Sequence, residues 1–294
     1  MAFTAKDVQA LREKTGAGMM DCKKALNETN GDMDAAVEVL KKSGAAKMEK
    51  KASRIAAEGI ARVAADDKSA VVVEVNSETD FAAKSGPFVE LVGKLTNYVF
   101  ASEVTTAEAA LALTTAEGTV ETVLQAATGQ IGEKMTLRRC EVVSKTDNQS
   151  FGYYIHMGGK IGVLVVLEGN GDLSEVAKDV AMHVAAINPQ YVKREDISQD
   201  FIDNETHIQL EAAKNDPKFA NKPEQMLLNI VKGKVNKTLA EICLVEQPFV
   251  KDGDLSVAQF VANNGGEVLK MVRYEVGEGM EKRNDNFADE VMNQ

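Results

Sequence analysis

Cysteine and histidine are scarce, with three of each in 294 residues. Cys22, Cys140 and Cys243 are far apart, odd in number and never spaced as Cys-x-x-Cys. That pattern excludes a disulfide framework and a structural zinc site, and it suits a reducing cytoplasm. His156, His183 and His207 fall in different elements without paired metal spacing, so no metal centre is expected. Long apolar runs are missing too: nothing approaches the roughly 18 residues that a membrane span needs. The start Met1-Ala2-Phe3-Thr4 has no basic region followed by an apolar one, so the chain is expected to stay in the cytoplasm. No Gly-x-x-x-x-Gly-Lys-[Ser/Thr] run occurs, and Gly169-Asn170-Gly171 only begins a dinucleotide pattern because Ser174 holds its last glycine position. No cofactor is expected, and any effect on a nucleotide has to be exerted through a partner. Positive charge is in deficit: the formal charge of -11 repels nucleic acid and favours a protein partner.

What is present is an ordinary 44% of hydrophobic residues, spread over a chain long enough for two or more cores. The expected fold class is α+β and multidomain. Thr4 with Asp7 three positions on forms a capping-box variant, and Val8 and Leu11 mark the first apolar face. Gly16-Ala17-Gly18 interrupts it, Met19 to Leu26 starts a second helix, and Asn30-Gly31-Asp32 turns into a third carrying Ala36, Val39 and Leu40. These three short helices form a compact bundle. After Ser43-Gly44, the basic residues Lys47, Lys50, Lys51 and Arg54 read as a linker helix, for which a solvated face is the default.

A pattern of hairpin followed by helix occurs twice. Gly59 to Ala65, the turn Asp66-Asp67-Lys68 and Ala70 to Val75 precede an apolar helix face of Phe88, Leu91, Val92, Leu95 and Val99. Phe151 to His156, the turn Met157-Gly158-Gly159 and Ile161 to Leu167 precede another through Leu173, Val176, Val180 and Val184. Two core subdomains are expected, each a small antiparallel sheet covered by helices. Between them the Ala-, Thr- and Glu-rich stretch from Thr105 to Lys134 reads as helical. Ile197, Phe201, Ile208 and Ala212 then mark one amphipathic helix, Asn215-Asp216-Pro217 stops it, and Met226 to Ile242 marks a second. Together they read as an inserted antiparallel helical hairpin, which either packs on its own body or contacts a partner. The division expected is 1–55 for the bundle and linker, 56–145 for the first subdomain, 146–196 with 243–276 for the second, 197–242 for the hairpin, and 277–294 for a C-terminal module with a helix over Asn284 to Val291.

The segment Asn76-Ser77-Glu78-Thr79-Asp80-Phe81-Ala82-Ala83-Lys84 places an aromatic ring beside a carboxylate just past the apolar run Ala70 to Val75. Phe81 therefore sits at a strand-to-helix junction, either as a core residue at the helix start or as a presented side chain. Met19 and Met20 have the same two readings, plain core or adaptable contact surface. His183 reads as a packed helix residue, and His156 as a polar residue satisfied by local backbone.

The Thr79-Asp80-Phe81-Ala82 run resembles the Thr-Asp-Phe-Val signature of the elongation factor Ts family, with Ala82 in place of valine. Leu11 to Leu26 resembles that family's N-terminal ubiquitin-associated-like domain, and Gln130-Ile131-Gly132-Glu133 with Lys134 resembles its Ile-Gly-Glu-Asn segment. Tyr154 to Leu164, Leu244 to Asp252 and Tyr274 to Lys282 resemble further stretches, with Met157 where glycine is common, and the hairpin insertion stands where the family carries a coiled coil. The resemblance implies a guanine nucleotide exchange factor that binds elongation factor Tu in its GDP-bound and nucleotide-free forms. It implies that Thr79, Asp80, Phe81 and Ala82 dislodge magnesium from that partner, and that Met19, Met20 and His156 make other partner contacts. No covalent chemistry, direct nucleic acid contact or membrane contact is implied, and self-association through the hairpin stays open. Two other classes are an interaction adaptor using the bundle and hairpin, and a hydrolase using scattered residues such as His156 and Cys22.

Overall fold

The computed structural model describes residues 3–219 and 223–281, so the helix expected over Asn284 to Val291 lies outside the described residues. By contact density the described residues divide into two units, one holding residues 3–144, Ile155–Gly162 and 274–281, the other Lys145–Tyr154 and Val163–Arg273.

The first unit begins with α1 (Ala5–Thr15), α2 (Met19–Glu28) and α3 (Met33–Lys50). Thr4 and Asp7 close the expected capping box, and Gly16 ends α1 at φ 66. Val8, Leu11, Cys22, Ala25, Leu26 and Ala36 form the bundle core. The basic stretch does not begin a separate linker helix: α3 continues through Lys50. Ser43-Gly44 lies within α3, and a Cβ at Gly44 would lie 2.9 Å from the carbonyl oxygen of Gln125, so this glycine allows a close helix approach. Lys47 pairs with Asp21 at 2.8 Å, which takes it out of a purely solvated face.

β1 (Glu58–Ala65) and β2 (Ser69–Ser77) form the first hairpin, and β5 (Thr136–Ser144) adds to it in the order β1-β2-β5, all antiparallel. The apolar run is the central strand β2, with Val71, Val73 and Val75 packed against Phe88, Leu91 and Leu95 of α5 (Gly86–Phe100). The stretch from Thr105 to Lys134 is not one helix. It holds α6 (Ala107–Leu111), a miniature hairpin of β3 (Thr114–Thr115) and β4 (Gly118–Thr119), and α7 (Val120–Ile131). Thr106 and Thr119 each cap a new helix through their hydroxyls, which is how threonine-rich sequence breaks a helix that its alanines favour.

The second unit carries most of a sheet ordered β10-β7-β6, from β6 (Gln149–His156), β7 (Ile161–Gly169) and β10 (Gly266–Glu275). The expected hairpin is present, and Val163 to Leu167 are all buried in the central strand. The helix of this unit, α8 (Ser174–Ile187), buries Val180, Ala181, His183 and Val184. The inserted hairpin consists of α9 (Gln199–Asn215) and α10 (Glu224–Ile242). Its inner face follows the expected stripe at Ile197 and Phe201 and departs from it further along α9: Ile208 and Ala212 are exposed, while Ile202, Leu210 and Ala213 join Val231, Val235 and Leu239. The inward stripe includes Thr206 and Gln209, whose polar ends bond locally to the Ile202 carbonyl and to Glu205. Counting apolar residues alone therefore selects the neighbouring flank. The unit continues through β8 (Pro248–Phe249), β9 (Asp252–Ser256) and α11 (Val257–Asn263).

Within this unit the packed His183 is held as the neutral imidazole. Its Nδ1 accepts from the Val250 N–H at 3.1 Å, and Nε2 lies 2.9 Å from Gln247 Oε1. Burial pushes its pKa down, against a smaller raising effect of the Gln247 bond. The folded value thus lies below the ordinary 6.5. As pH falls, the unfolded chain takes up the proton first. This stabilising contribution is complete above 6.5 and is lost between 6.5 and the depressed folded value. Urea unfolding of this region followed from about pH 7 to 5 should therefore show falling stability that His183→Gln removes; a variant with the same slope as wild type would contradict the assignment.

Candidate functional site

β2 ends at Ser77, and the chain turns at once into α4 (Asp80–Ala83), a single helical turn. Thr79 is its N-cap: the hydroxyl oxygen accepts from the Ala82 N–H at 3.2 Å. Asp80 occupies the first helical position, where a carboxylate complements the helix dipole. Successive helical residues are rotated by about 100°, so burying Ala82 and Ala83 turns Phe81 outward. Phe81 is 83% exposed, the most exposed large apolar side chain among the described residues. The core reading of Phe81 is thereby overturned, and the presented reading stands.

The turn is fastened on all sides. The Thr79 N–H and hydroxyl donate to the two carboxylate oxygens of Glu133, at 3.0 and 2.7 Å. The Ser77 hydroxyl donates to the Thr79 carbonyl at 3.1 Å. Glu78 accepts from the Lys134 N–H at 2.6 Å and from the Arg54 guanidinium at 3.1 Å. Lys84 donates to Asp80 at 2.7 Å, and that bond holds the Asp80 carboxyl below its ordinary pKa. The pair stays ionised at neutral pH. Ala82 faces inward at 7% exposure, so its departure from valine bears on the support of the turn and not on its outer surface.

The tip of the β6–β7 hairpin belongs to this same unit. The Gly159 carbonyl accepts from the Ala61 N–H at 2.7 Å, and Lys160 pairs with Glu58. Gly159 has φ 101 and a Cβ there would lie 2.8 Å from Ile60, so both backbone form and space call for glycine. Met157, 73% exposed, takes the left-handed form at φ 49. His156 is half-buried beside it, and its carbonyl accepts from the Gly159 N–H at 3.1 Å. Asp80 and Lys84 of the turn and Met157 and Lys160 of the tip line one cleft of about 190 Å³. The structure therefore brings the Thr79–Ala82 turn together with the 157–160 tip.

Met19 and Met20 stand elsewhere, on the first turn of α2, at 57% and 73% exposure. They line a separate groove of about 960 Å³ with Phe3, Val8 and Arg12. Their core reading is overturned as well.

The cysteine thiols are withdrawn from the surface. Cys22, Cys140 and Cys243 are all buried, and burial pushes the thiols of Cys140 and Cys243 up to about 11. Among the described residues no group of three His, Cys, Asp or Glu side chains is arranged for a metal ion, and no helix is long and apolar enough to cross a membrane.

Sequence reasoning missed two sets of residues. Glu133 and Lys134 drew notice only as part of a segment, without partners. Glu74 is fully buried in β2 and accepts from Arg138 at 3.0 Å, Arg139 at 2.5 Å and the Gly277 N–H at 2.9 Å. A polar letter inside an apolar run was the available signal for Glu74.

A family model described as Elongation factor TS matches residues 78–278, more than half of the chain. The matched stretch contains the Phe81 turn, Glu133, the 157–160 tip and the helical hairpin, while Met19 and Met20 precede it. That family acts in nucleotide exchange on elongation factor Tu during translation elongation. The sequence match and the presented aromatic turn agree, and the chain belongs to the elongation factor Ts family.

Proposed function

We propose that this chain binds GDP-loaded elongation factor Tu, inserts Phe81 into its nucleotide domain, disturbs the magnesium and phosphate site and so promotes GDP release, after which GTP binds. The observation that carries this reading is the 83% exposure of Phe81 on a turn whose neighbours are hydrogen-bonded to the body of the protein. An apolar ring held out by a fastened turn loses little order when a partner buries it. Asp80, Lys84 and Met157 surround the same cleft and supply the rim.

No bond is made or broken; the factor acts in the cytoplasm by stabilising the nucleotide-free partner. Linkage requires that nucleotide weaken factor binding by the same ratio as factor weakens nucleotide binding. GTP or GDP then expels the factor, and direction follows nucleotide concentrations. In this reading the modules 1–55, 56–145, 146–196 with 243–276, 197–242 and 277–294 supply separate contacts, Met19, Met20 and His156 among them. One aromatic side chain does not provide all of the binding energy.

A fluorescent GDP analogue released from elongation factor Tu in the presence of increasing chain provides the test. Release should accelerate with chain concentration to a plateau. Binding without acceleration would overturn exchange and leave the adaptor reading, which the exposed methionine groove favours.

A further inference from the structure

Glu133 and Lys134 follow α7 directly, after Gly132 closes that helix at φ 86. From this one point the dipeptide reaches two stretches of the first unit. Glu133 takes both the N–H and the hydroxyl of Thr79, at 3.0 and 2.7 Å. The Lys134 N–H donates to Glu78 at 2.6 Å. The Lys134 ammonium donates to the carbonyls of Ala52 at 2.6 Å and Arg54 at 2.9 Å, in the chain between α3 and β1. The Arg54 guanidinium completes a ring by pairing with Glu78.

The Thr79 hydroxyl has a single proton. Because Glu133 takes it, the hydroxyl lone pair points at the Ala82 N–H and the cap bond is fixed. Without Glu133 the hydroxyl is free to rotate and the Thr79 N–H loses its partner, so the one-turn helix that presents Phe81 loses the anchor that acts directly on its cap, while Ser77 and Glu78 keep theirs. An asparagine at position 134 would be too short to span two carbonyls, so the ammonium link comes from the lysine that this chain carries there.

We infer that Glu133 is a positioning residue for exchange, holding the Phe81 turn ready for the partner, and that Lys134 extends the hold to the chain leaving the N-terminal bundle. The inference rests on the reading of Phe81 given above. The test combines two measurements on the full chain: the plateau rate of GDP-analogue release from elongation factor Tu, and amide hydrogen exchange of the uncomplexed chain. Glu133→Ala should lower the plateau rate about tenfold and speed exchange at Thr79 and Ala82. Glu133→Gln keeps an acceptor for the Thr79 N–H and should recover most of the rate. In a Phe81→Ala background the same Glu133→Ala change should alter the rate by no more than about twofold, because no wedge remains to be positioned.

Equal losses in both backgrounds, or no loss in either, would overturn the role of Glu133. Lys134→Met should speed exchange over residues 52–54, and unchanged exchange there would overturn its share. A wild-type chain that fails to accelerate release would sink the exchange reading itself, before any variant is compared.

Discussion

Phe81→Ala is expected to lower the plateau rate of nucleotide release by roughly ten- to a hundredfold, since full burial of a phenylalanine is worth about 1.5 to 3 kcal/mol. The fold should not suffer, because the ring is 83% exposed and contributes little to the core. Thermal unfolding of the variant should therefore match wild type. Two kinetic quantities separate the ways in which the ring could act. If Phe81 is buried only as the nucleotide leaves, the plateau falls and the half-saturating concentration holds; if it is buried on first contact, the concentration rises instead. Adding Asp80→Ala should change little more, since the Asp80 pair with Lys84 is exposed and screened by solvent. A Phe81→Ala plateau and half-saturating concentration both within about twofold of wild type would reject the wedge while leaving exchange in place.

Glu74→Ala should produce the largest loss of stability, roughly 3 kcal/mol, the lower end of what removing one partner of a buried ion pair costs. The lower end applies because Arg138 and Arg139 keep 26% and 28% of their side chains exposed. A register shift between Glu74 and Val75 in the β2–β5 pairing explains how two consecutive arginines reach one carboxylate: on a regular strand they would point to opposite faces. Arg139 also lies over the Tyr274 ring at 4.2 Å, so the cluster joins β2, β5 and the residues after β10.

The same cluster sets an acid sensitivity. Burial alone raises the Glu74 pKa, but the Gly277 N–H and the two guanidiniums outweigh it and hold the pKa below the ordinary 4.5. A carboxyl depressed by folding contributes stability that is present above 4.5 and is lost as pH falls through the folded value. Glu74→Gln, which keeps an acceptor for the Gly277 N–H, should be destabilised at neutral pH and lose less below 4.5 than wild type does. Parallel acid curves for the two proteins would show that the acid sensitivity lies elsewhere.

Much of this protein was legible in short-range patterns. The β-branched run Val71 to Val75, the Thr4 and Asp7 cap, the glycine turns and the two hairpins all express themselves within a few residues, and all are present. Errors arose where a local rule had two solutions. Ile208 and Ala212 form as good an apolar stripe as Ile202 and Ala213, and packing against Val231 and Val235 chose the latter. Thr114 to Thr119 could have continued a helix, yet formed a two-strand turn instead. Gly44, which carried no reading of its own beyond preceding the basic stretch, proved to be a contact point for α7.

The sequence by itself determined the helical bundle, the two β-hairpins and the inserted helical hairpin, that an aromatic and a carboxylate follow the central strand, and which family the motif resembles. It left Phe81 between core and surface, because one helical turn has no periodicity from which to read a face. The tertiary structure decided that question by burying Ala82 and Ala83, and it supplied what fastens the turn. Glu133 meets Thr79 across 54 residues of chain, and Gly277 meets Glu74 across 203. Hydrophobic periodicity and capping act over three or four positions, so contacts at such separations are set only when the packed elements bring their ends together.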